Sequence, residues 1–265
     1  MLGIGPTNDI LFTYKNEAQG LAQTFGVNLK YYRGHQKREP SSKANESMPL
    51  ALLTSDPAGI YTFKAEFTDT QPLQYSNSTE DGSNVVYQKG QFLEQYTITF
   101  SNLEQEQAII RVRFSPSMFE ELIQFEVELN SVPIQDGSSK DVIVNWKMYN
   151  DFDPKGEFWT DSNGLEMQKR QIDKRDGFNF TGRETHVSRN YYPIDSAIAM
   201  RDKAGGKIQV TVMNDRPQGG SADLSDKATI EIMQHRRQVQ SDPKNGFDEA
   251  LNETDSEQRG IRVNA

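Results

Sequence analysis

The side chains along this chain alternate between apolar and polar with a period of two. Ile123, Phe125, Val127 and Leu129 alternate with Gln124, Glu126 and Glu128, a pattern that predicts a strand with one apolar and one wet face. Val142, Val144, Trp146 and Met148 form a second apolar row, Ile110, Val112 and Phe114 a third, and Ile208, Val210 and Val212 a fourth. Tyr61–Phe67 and Tyr96–Phe100 read alike. Between these runs lie Asp81-Gly82, Asp136-Gly137, Asn163-Gly164 and Gly205-Gly206, pairs that supply the positive φ of tight hairpins. No segment carries a helical stripe, so the expected fold is all-β, a large antiparallel β-sandwich half-buried strand by strand. The expected domain runs from 1 to 253. Within it, residues 34–49 read as an exposed loop or insertion, and 254–265 follow as a polar tail or truncated linker.

Composition narrows the function classes. Of the 265 residues, 38 are acidic and 29 basic, a formal charge of −9, which argues against a phosphate-gripping surface; no nucleic-acid partner is expected. No run of about 20 apolar residues occurs, so no membrane partner is expected either. The start, Met1-Leu-Gly-Ile-Gly-Pro, has neither the charged nor the apolar region of a signal peptide; the chain is either cytosolic or a piece whose targeting sequence lies elsewhere. The absence of cysteine removes disulfides, thiolate zinc clusters and cysteine nucleophiles.

The search for chemistry is mostly negative. His35, His186 and His235 are followed by Gln-Lys, Val-Ser and Arg-Arg, with no His-x-Asp or His-Glu-x-x-His spacing, so no metal ligand set is expected in this chain. Neither a Gly-x-Ser-x-Gly elbow nor a phosphate-cradling P-loop is present. Asp151-Phe-Asp153 and Asp161-Ser-Asn-Gly164 have the oxygen-rich character of calcium-loop fragments but lack the rest of such a loop, and ordinary turns explain them. Tyr191-Tyr192 beside Pro193 could offer aromatic faces and phenol hydroxyls to a sugar, or could simply be core packing. Asp215-Arg-Pro-Gln-Gly-Gly-Ser221 brings two glycines together where backbone can approach closely. Asn-x-Ser/Thr sequons stand at Asn45, Asn77, Asn179 and Asn252, glycosylation candidates in a secretory pathway.

Ala58–Phe63, Val132–Gly137 through Lys140–Ile143, Phe158–Gly164, Asn190–Ile194, Asp215–Ser221, Glu231–Arg237 and Glu249–Glu253 form an ordered series. Taken in that order, the series resembles the C-terminal β-domain of glycoside hydrolase family 38, the class II α-mannosidases, nearer the lysosomal type. The resemblance implies a galactose-mutarotase-like super-sandwich. It also implies a zinc-dependent retaining enzyme that hydrolyses α-mannosidic bonds of N-glycans, with zinc bound outside this chain. The implied partners are the enzyme's own N-terminal catalytic barrel and helical bundle, together with mannose-containing glycans. This chain would contribute no catalytic residue and would be inactive alone. It would instead support the active site and lend a tyrosine to the substrate pocket, either Tyr191 or Tyr192. The implied setting is the secretory pathway, lysosome or vacuole. The segments 151–155 and 177–189 depart from the family and leave the linkage preference open. The alternative is a free-standing carbohydrate-binding β-sandwich without catalysis.

Overall fold

A computed structural model describes residues 2–4, 10–17, 20–36, 57–67, 69–72, 85–101, 106–115, 119–180, 185–203, 208–242, 247–255 and 263–264. Most of the expected loop at 34–49, and the sequons at Asn45 and Asn77, lie outside these residues. So do the Asp81-Gly82 and Gly205-Gly206 turns.

Antiparallel strands make up nearly all the regular secondary structure of the described residues, the all-β sandwich class that the alternation predicts. They divide into two compact units, one of residues 1–72 and 137–251, the other of 73–136 and 252–265.

In the larger unit, β1 (Leu2–Ile4), β2 (Ile10–Asn16), β3 (Leu21–Arg33), β9 (Lys140–Met148), β16 (Thr229–Arg237), β15 (Gln218–Ala222) and β12 (Tyr192–Ile194) follow one another in an eight-stranded sheet, with β4 (Gln71–Pro72) paired to β3. A four-stranded sheet runs β11 (Glu166–Gln171), β10 (Glu157–Ser162), β13 (Ala197–Arg201), β14 (Gln209–Met213). These two sheets pack face to face through β10 and β13 against β12, β15 and β16. Phe158, Ile198 and Met200 from one side, and Ile194, Ile230 and Ile232 from the other, are at most 1 % exposed. This is the unit's main core.

Asn163 (φ 51°) and Gly164 (φ 68°) make the two left-handed positions of the hairpin joining β10 to β11, as the Asn-Gly pair predicts.

In the smaller unit, β5 (Val85–Lys89), β6 (Glu94–Ser101), β7 (Glu106–Ser115), β8 (Phe119–Leu129) and β19 (Val263–Asn264) form a five-stranded sheet in the order β19-β8-β7-β6-β5. The chain's final strand therefore pairs with β8, Val263 opposite Leu129. Alternation reads directly onto this sheet: Ile98, Ile110, Val112 and Val127 are buried on one face. On the other, Arg111 reaches Glu126 at 2.6 Å and Glu128 at 3.2 Å, and Arg113 reaches Glu126 at 2.7 Å.

Two readings of the pattern differ from the structure. The 142–148 row was expected to have a wet reverse face, yet Asp141, Ile143 and Asn145 between its members are also buried. β9 sits between β3 and β16, and the sheet's second face is covered by the 57–67 segment, by α1 (His186–Arg189), a single turn, and by the 223–228 turns. Residues 61–67 are not a strand. They form an irregular segment whose backbone bonds at isolated points: His35 N–H to Lys64 O at 2.7 Å, Glu66 N–H to Arg33 O at 2.7 Å, and reciprocal bonds between Gly59 and Thr62. Tyr61 stays 71 % exposed while Lys64 and Glu66 are buried, so the alternation there does not mark a sheet face.

Candidate functional site

The segment 185–194 is fixed before either tyrosine is placed. Thr185 caps α1 by accepting from Ser188 N–H, and the Ser188 hydroxyl accepts from the Thr185 backbone. Asn190, fully buried, closes the helix: its side chain donates to His186 O at 2.9 Å and to Asp173 Oδ1 at 2.8 Å, and accepts from Asp173 N–H at 2.8 Å. The Ser221 hydroxyl donates to Asn190 O at 2.9 Å, which ties α1 to β15.

From that anchor the adjacent tyrosines go to opposite sides of the eight-stranded sheet, so they do not form one aromatic platform. Tyr192 faces the inter-sheet core, 7 % exposed, with its ring 5.8 Å from that of Phe158. The guanidinium carbons of Arg170 and Arg175 lie 4.4 and 4.9 Å from its centre. Tyr191 packs on the second face, its ring 4.7 Å from Phe63 and 6.5 Å from Tyr32.

Beneath Tyr191 lies a buried polar network that sequence reasoning did not single out. Glu231 on β16 is fully buried, and its carboxylate accepts from the Tyr32 hydroxyl at 2.8 and 3.1 Å and from the Ser225 hydroxyl at 3.0 Å. Burial pushes the Glu231 carboxyl above its ordinary value, against the hydrogen bonds that favour its charge. Burial also raises the Tyr32 and Tyr191 phenols well above theirs, and the neighbouring carboxylate adds to it. The Tyr191 hydroxyl is itself buried and makes no well-aligned hydrogen bond. Glu231 sits in the Glu-Ile-Met-Gln-His-Arg-Arg segment, and the signal that could have found it is an acidic residue between two fully buried isoleucines.

A few residues further along β16, Arg236 acts as a clamp. Its guanidinium donates to Asp141 at 2.7 Å and to the carbonyls of Ile60 at 3.2 Å and Thr62 at 3.1 Å, holding the turn that carries Tyr61. Asp141 is fully buried and also accepts from Gln238 at 2.8 Å. Burial raises its carboxyl, partly offset by Arg236 and Gln238.

The oxygen-rich turns are used internally. Asp161 Oδ1 accepts from the backbone N–H groups of Asp195 at 2.9 Å and of Ser196 and Ala197 at 3.0 Å, and Oδ2 accepts from Gly164 N–H at 2.9 Å. Burial opposes its charge, but these donors win and hold the carboxyl down at about 2. Asp153 pairs with Lys155 and caps its N–H. His35 follows β3, His186 lies in α1 next to Asp173, and His235 lies on β16. Among the described residues no group of three or more His, Cys, Asp or Glu side chains is arranged to hold a metal ion, so these residues do not fit a zinc site. In the 215–221 loop Arg216 pairs with its neighbour Asp215 at 2.8 Å, both largely exposed. Asn179 and Asn252 are exposed. No helix of the described residues is long and apolar enough to cross a membrane.

The fold defines an antiparallel β-sandwich domain, and the described contacts of Asn190, Tyr192, Asp161 and Glu231 are made within it. The family model described as Glycosyl hydrolases family 38 C-terminal domain matches residues 9–244, and the chain belongs to that family. It is similar to lysosomal α-mannosidase of Felis catus (40 % identical over 129 residues, 49 % of this chain and 12 % of that protein) and of Homo sapiens (37 % over 134 residues, 51 % and 12 %). An α-mannosidase of Arabidopsis thaliana is 37 % identical over 131 residues, 49 % of this chain and 12 % of its own length. The match thus spans about an eighth of each of these relatives.

Proposed function

We infer that this chain is the C-terminal β-domain of a zinc-dependent retaining α-mannosidase acting on N-glycans in an acidic secretory compartment, lysosome or vacuole. The observation that carries this reading is the family match across 9–244, supported by 40 % identity to a lysosomal α-mannosidase over 129 residues, 12 % of that protein. The nucleophile, acid and zinc would belong to a catalytic barrel outside these residues, with the two carboxyl groups about 5 Å apart as retention requires. Alone, the chain would be inactive.

Its part in the reaction would be to support the catalytic half and lend it a tyrosine. Tyr191 and Tyr192 remain the candidates that the family resemblance names, and the packing supports a division of labour around them. Tyr192 is inside the sandwich and the Tyr191 hydroxyl is covered. Tyr61 is held outward on a turn fixed by Arg236, and it lies within another family segment, Ala58–Phe63. Tyr61 is therefore proposed as the residue that touches substrate or barrel, with Tyr191 positioning the turn through Phe63.

The test begins with the transcript upstream of Met1. A reading frame encoding a barrel with a His-x-Asp pair supports the proposal; a stop codon directly upstream of an authentic start overturns it in favour of a free-standing sugar-binding sandwich. In the longer protein, Tyr61→Ala is expected to lower kcat/KM on an aryl α-mannoside at unchanged thermal stability. Tyr191→Ala and Tyr192→Ala are expected to lower stability first.

A further inference from the structure

The outer face of the four-stranded sheet carries a feature that none of the preceding argument uses. Strand alternation puts Phe158, Thr160, Ile198 and Met200 inward, all fully buried, and turns Trp159 outward on the central strand β10. Directly opposite it on β13 is Ala199, and Ala197 stands two positions along the same face. These two methyl groups form the floor of a shallow, open depression of about 130 Å³, walled by the Trp159 indole and the Met167 thioether. That volume is below the roughly 300–1,000 Å³ of enclosed small-molecule sites, so the depression can cradle one face of a single ring and leaves the rest of a ligand in solvent.

The far wall is polar and already ordered. Arg201 Nε donates to Gln209 Oε1 at 2.7 Å, and Gln209 Nε2 donates to Thr211 Oγ1 at 3.0 Å, so a guanidinium, an amide and a hydroxyl are lined up across β13 and β14. The Arg201 guanidinium carbon also lies 4.9 Å from the centre of the Trp159 ring, which fixes both side chains. Of the two carboxylates that flank Trp159 on its face of β10, Glu157 is engaged by Lys169 at 3.0 Å and by Lys203 at 2.5 Å, and Asp161 by four backbone N–H donors, so neither is left as an unengaged charge at the rim.

An indole bordering a notch with a methyl floor, opposite a preset row of hydrogen-bonding groups, suits a ligand that is apolar on one face and hydroxylated at its edge. We propose that the Trp159 depression is a binding subsite for a neutral pyranose, on a different sheet from the Tyr191–Tyr192 segment. An apolar side chain from another protein would fit the floor, but it would cover the Arg201–Gln209–Thr211 row without replacing its water. A sugar ring meets both walls, its CH groups on the indole and its hydroxyls on the row. The proposal deepens the α-mannosidase reading, since a glycan held here would raise the local concentration of substrate. It rests on the depression alone and survives if that reading fails.

The whole 265-residue chain contains two tryptophans, and Trp146 is only 6 % exposed, so acrylamide quenching of indole fluorescence reports mainly on Trp159. Titration with methyl α-mannopyranoside and with methyl β-galactopyranoside is expected to protect Trp159 saturably for at least one of the two sugars. Protection should weaken about two- to tenfold in Gln209→Ala, the worth of one hydrogen bond. It should be lost in Ala197→Leu, which fills the notch while keeping the indole. No protection by either sugar overturns the proposal, as does protection unchanged in Ala197→Leu. Concentration-dependent protection without sugar, accompanied by dimers in sedimentation, also overturns it and makes this face an interface between copies. A null result leaves the family assignment and the upstream-barrel test standing.

Discussion

The Tyr32 hydroxyl and the Glu231 carboxylate, 199 positions apart in sequence, meet at 2.8 Å across the buried second face of the eight-stranded sheet. Their strands, β3 and β16, flank β9, so the bond spans the centre of the sheet. Tyr32→Phe removes a donor from a carboxyl that has no access to water and is expected to cost about 1–3 kcal/mol in urea unfolding. Glu231→Gln keeps the shape and tests the charge. Burial first, against the bonds from Tyr32 and Ser225 and the charge of Lys30, raises the Glu231 pKa. A raised carboxyl binds its proton more tightly folded than unfolded. Its contribution is therefore fully present below the unfolded value of about 4.3 and is lost as pH rises toward the folded value. Wild type should lose stability relative to Glu231→Gln over that rising interval; a pH-independent difference would show that Glu231 does not change charge there.

Gly219 and Gly220 are adjacent and look interchangeable in the sequence, but they are not. A Cβ on Gly220 would lie 2.3 Å from Ile194 Cδ1 and 2.7 Å from the backbone oxygen of Glu231, whereas one on Gly219 would meet only Tyr191 Cδ1 at 3.4 Å. Gly220→Ala must push β12 away from β16 or shift β15, an overpacking cost of about 1–3 kcal/mol or more. Gly219→Ala should cost less than 1 kcal/mol, within the usual range for a site with room. Thermal unfolding of the two variants checks the contrast. Equal losses would mean that the sheet gives way at neither position in particular.

These two cases show what the sequence made legible. Alternation located β6, β7, β8, β9 and β14, because side-chain direction in a strand is set by the backbone alone. It failed for the reverse face of β9, since whether Asp141 and Asn145 meet water depends on segments far away in sequence. It failed too for 61–67, where alternation arose in a chain that bonds through isolated bridges and a guanidinium clamp. The doublet Tyr191-Tyr192 was visible as chemistry, but not as two residues on opposite faces. That follows from Asn190 ending α1 just where β12 begins. Glu231 was quoted within a motif and its role was invisible, because a buried acid is recognised only by the donors gathered round it.

Partly buried Arg236 and fully buried Asp141 form a charged pair, and the clamp predicts strong coupling between them. Arg236→Met leaves a fully buried carboxylate with only the Gln238 donor and frees the Ile60 and Thr62 carbonyls, a loss of about 3–5 kcal/mol. Asp141→Asn alone should cost less, because the amide oxygen still accepts from Arg236. In the double variant the two losses should fall well short of their sum, as residues sharing one network do. Additive losses in a double-mutant cycle would mean that Arg236 acts through the carbonyls alone. Limited proteolysis near Tyr61 would rise in Arg236→Met if the turn depends on this guanidinium.

Asp161 gives the opposite pH signature to Glu231. Its Oδ1 gathers three consecutive backbone N–H groups, from Asp195, Ser196 and Ala197, and Oδ2 a fourth, from Gly164, so it ties the β10–β11 hairpin to the turn between β12 and β13. Burial works against the charge, yet the donors hold the folded pKa at about 2, below the unfolded value of about 3.9. The stability this brings is present above the unfolded value and is lost as pH falls from there toward the folded one. Asp161→Asn keeps one acceptor oxygen but replaces the other with a donor facing Gly164 N–H, and should cost roughly 2–3 kcal/mol at neutral pH. The deficit relative to wild type should shrink below about pH 4, where wild type loses the charge-dependent part of its advantage. Urea midpoints for both proteins measured at neutral pH and near pH 3 decide the matter. A deficit that stays constant would show that the four donors bind the side chain through its shape and not through its charge.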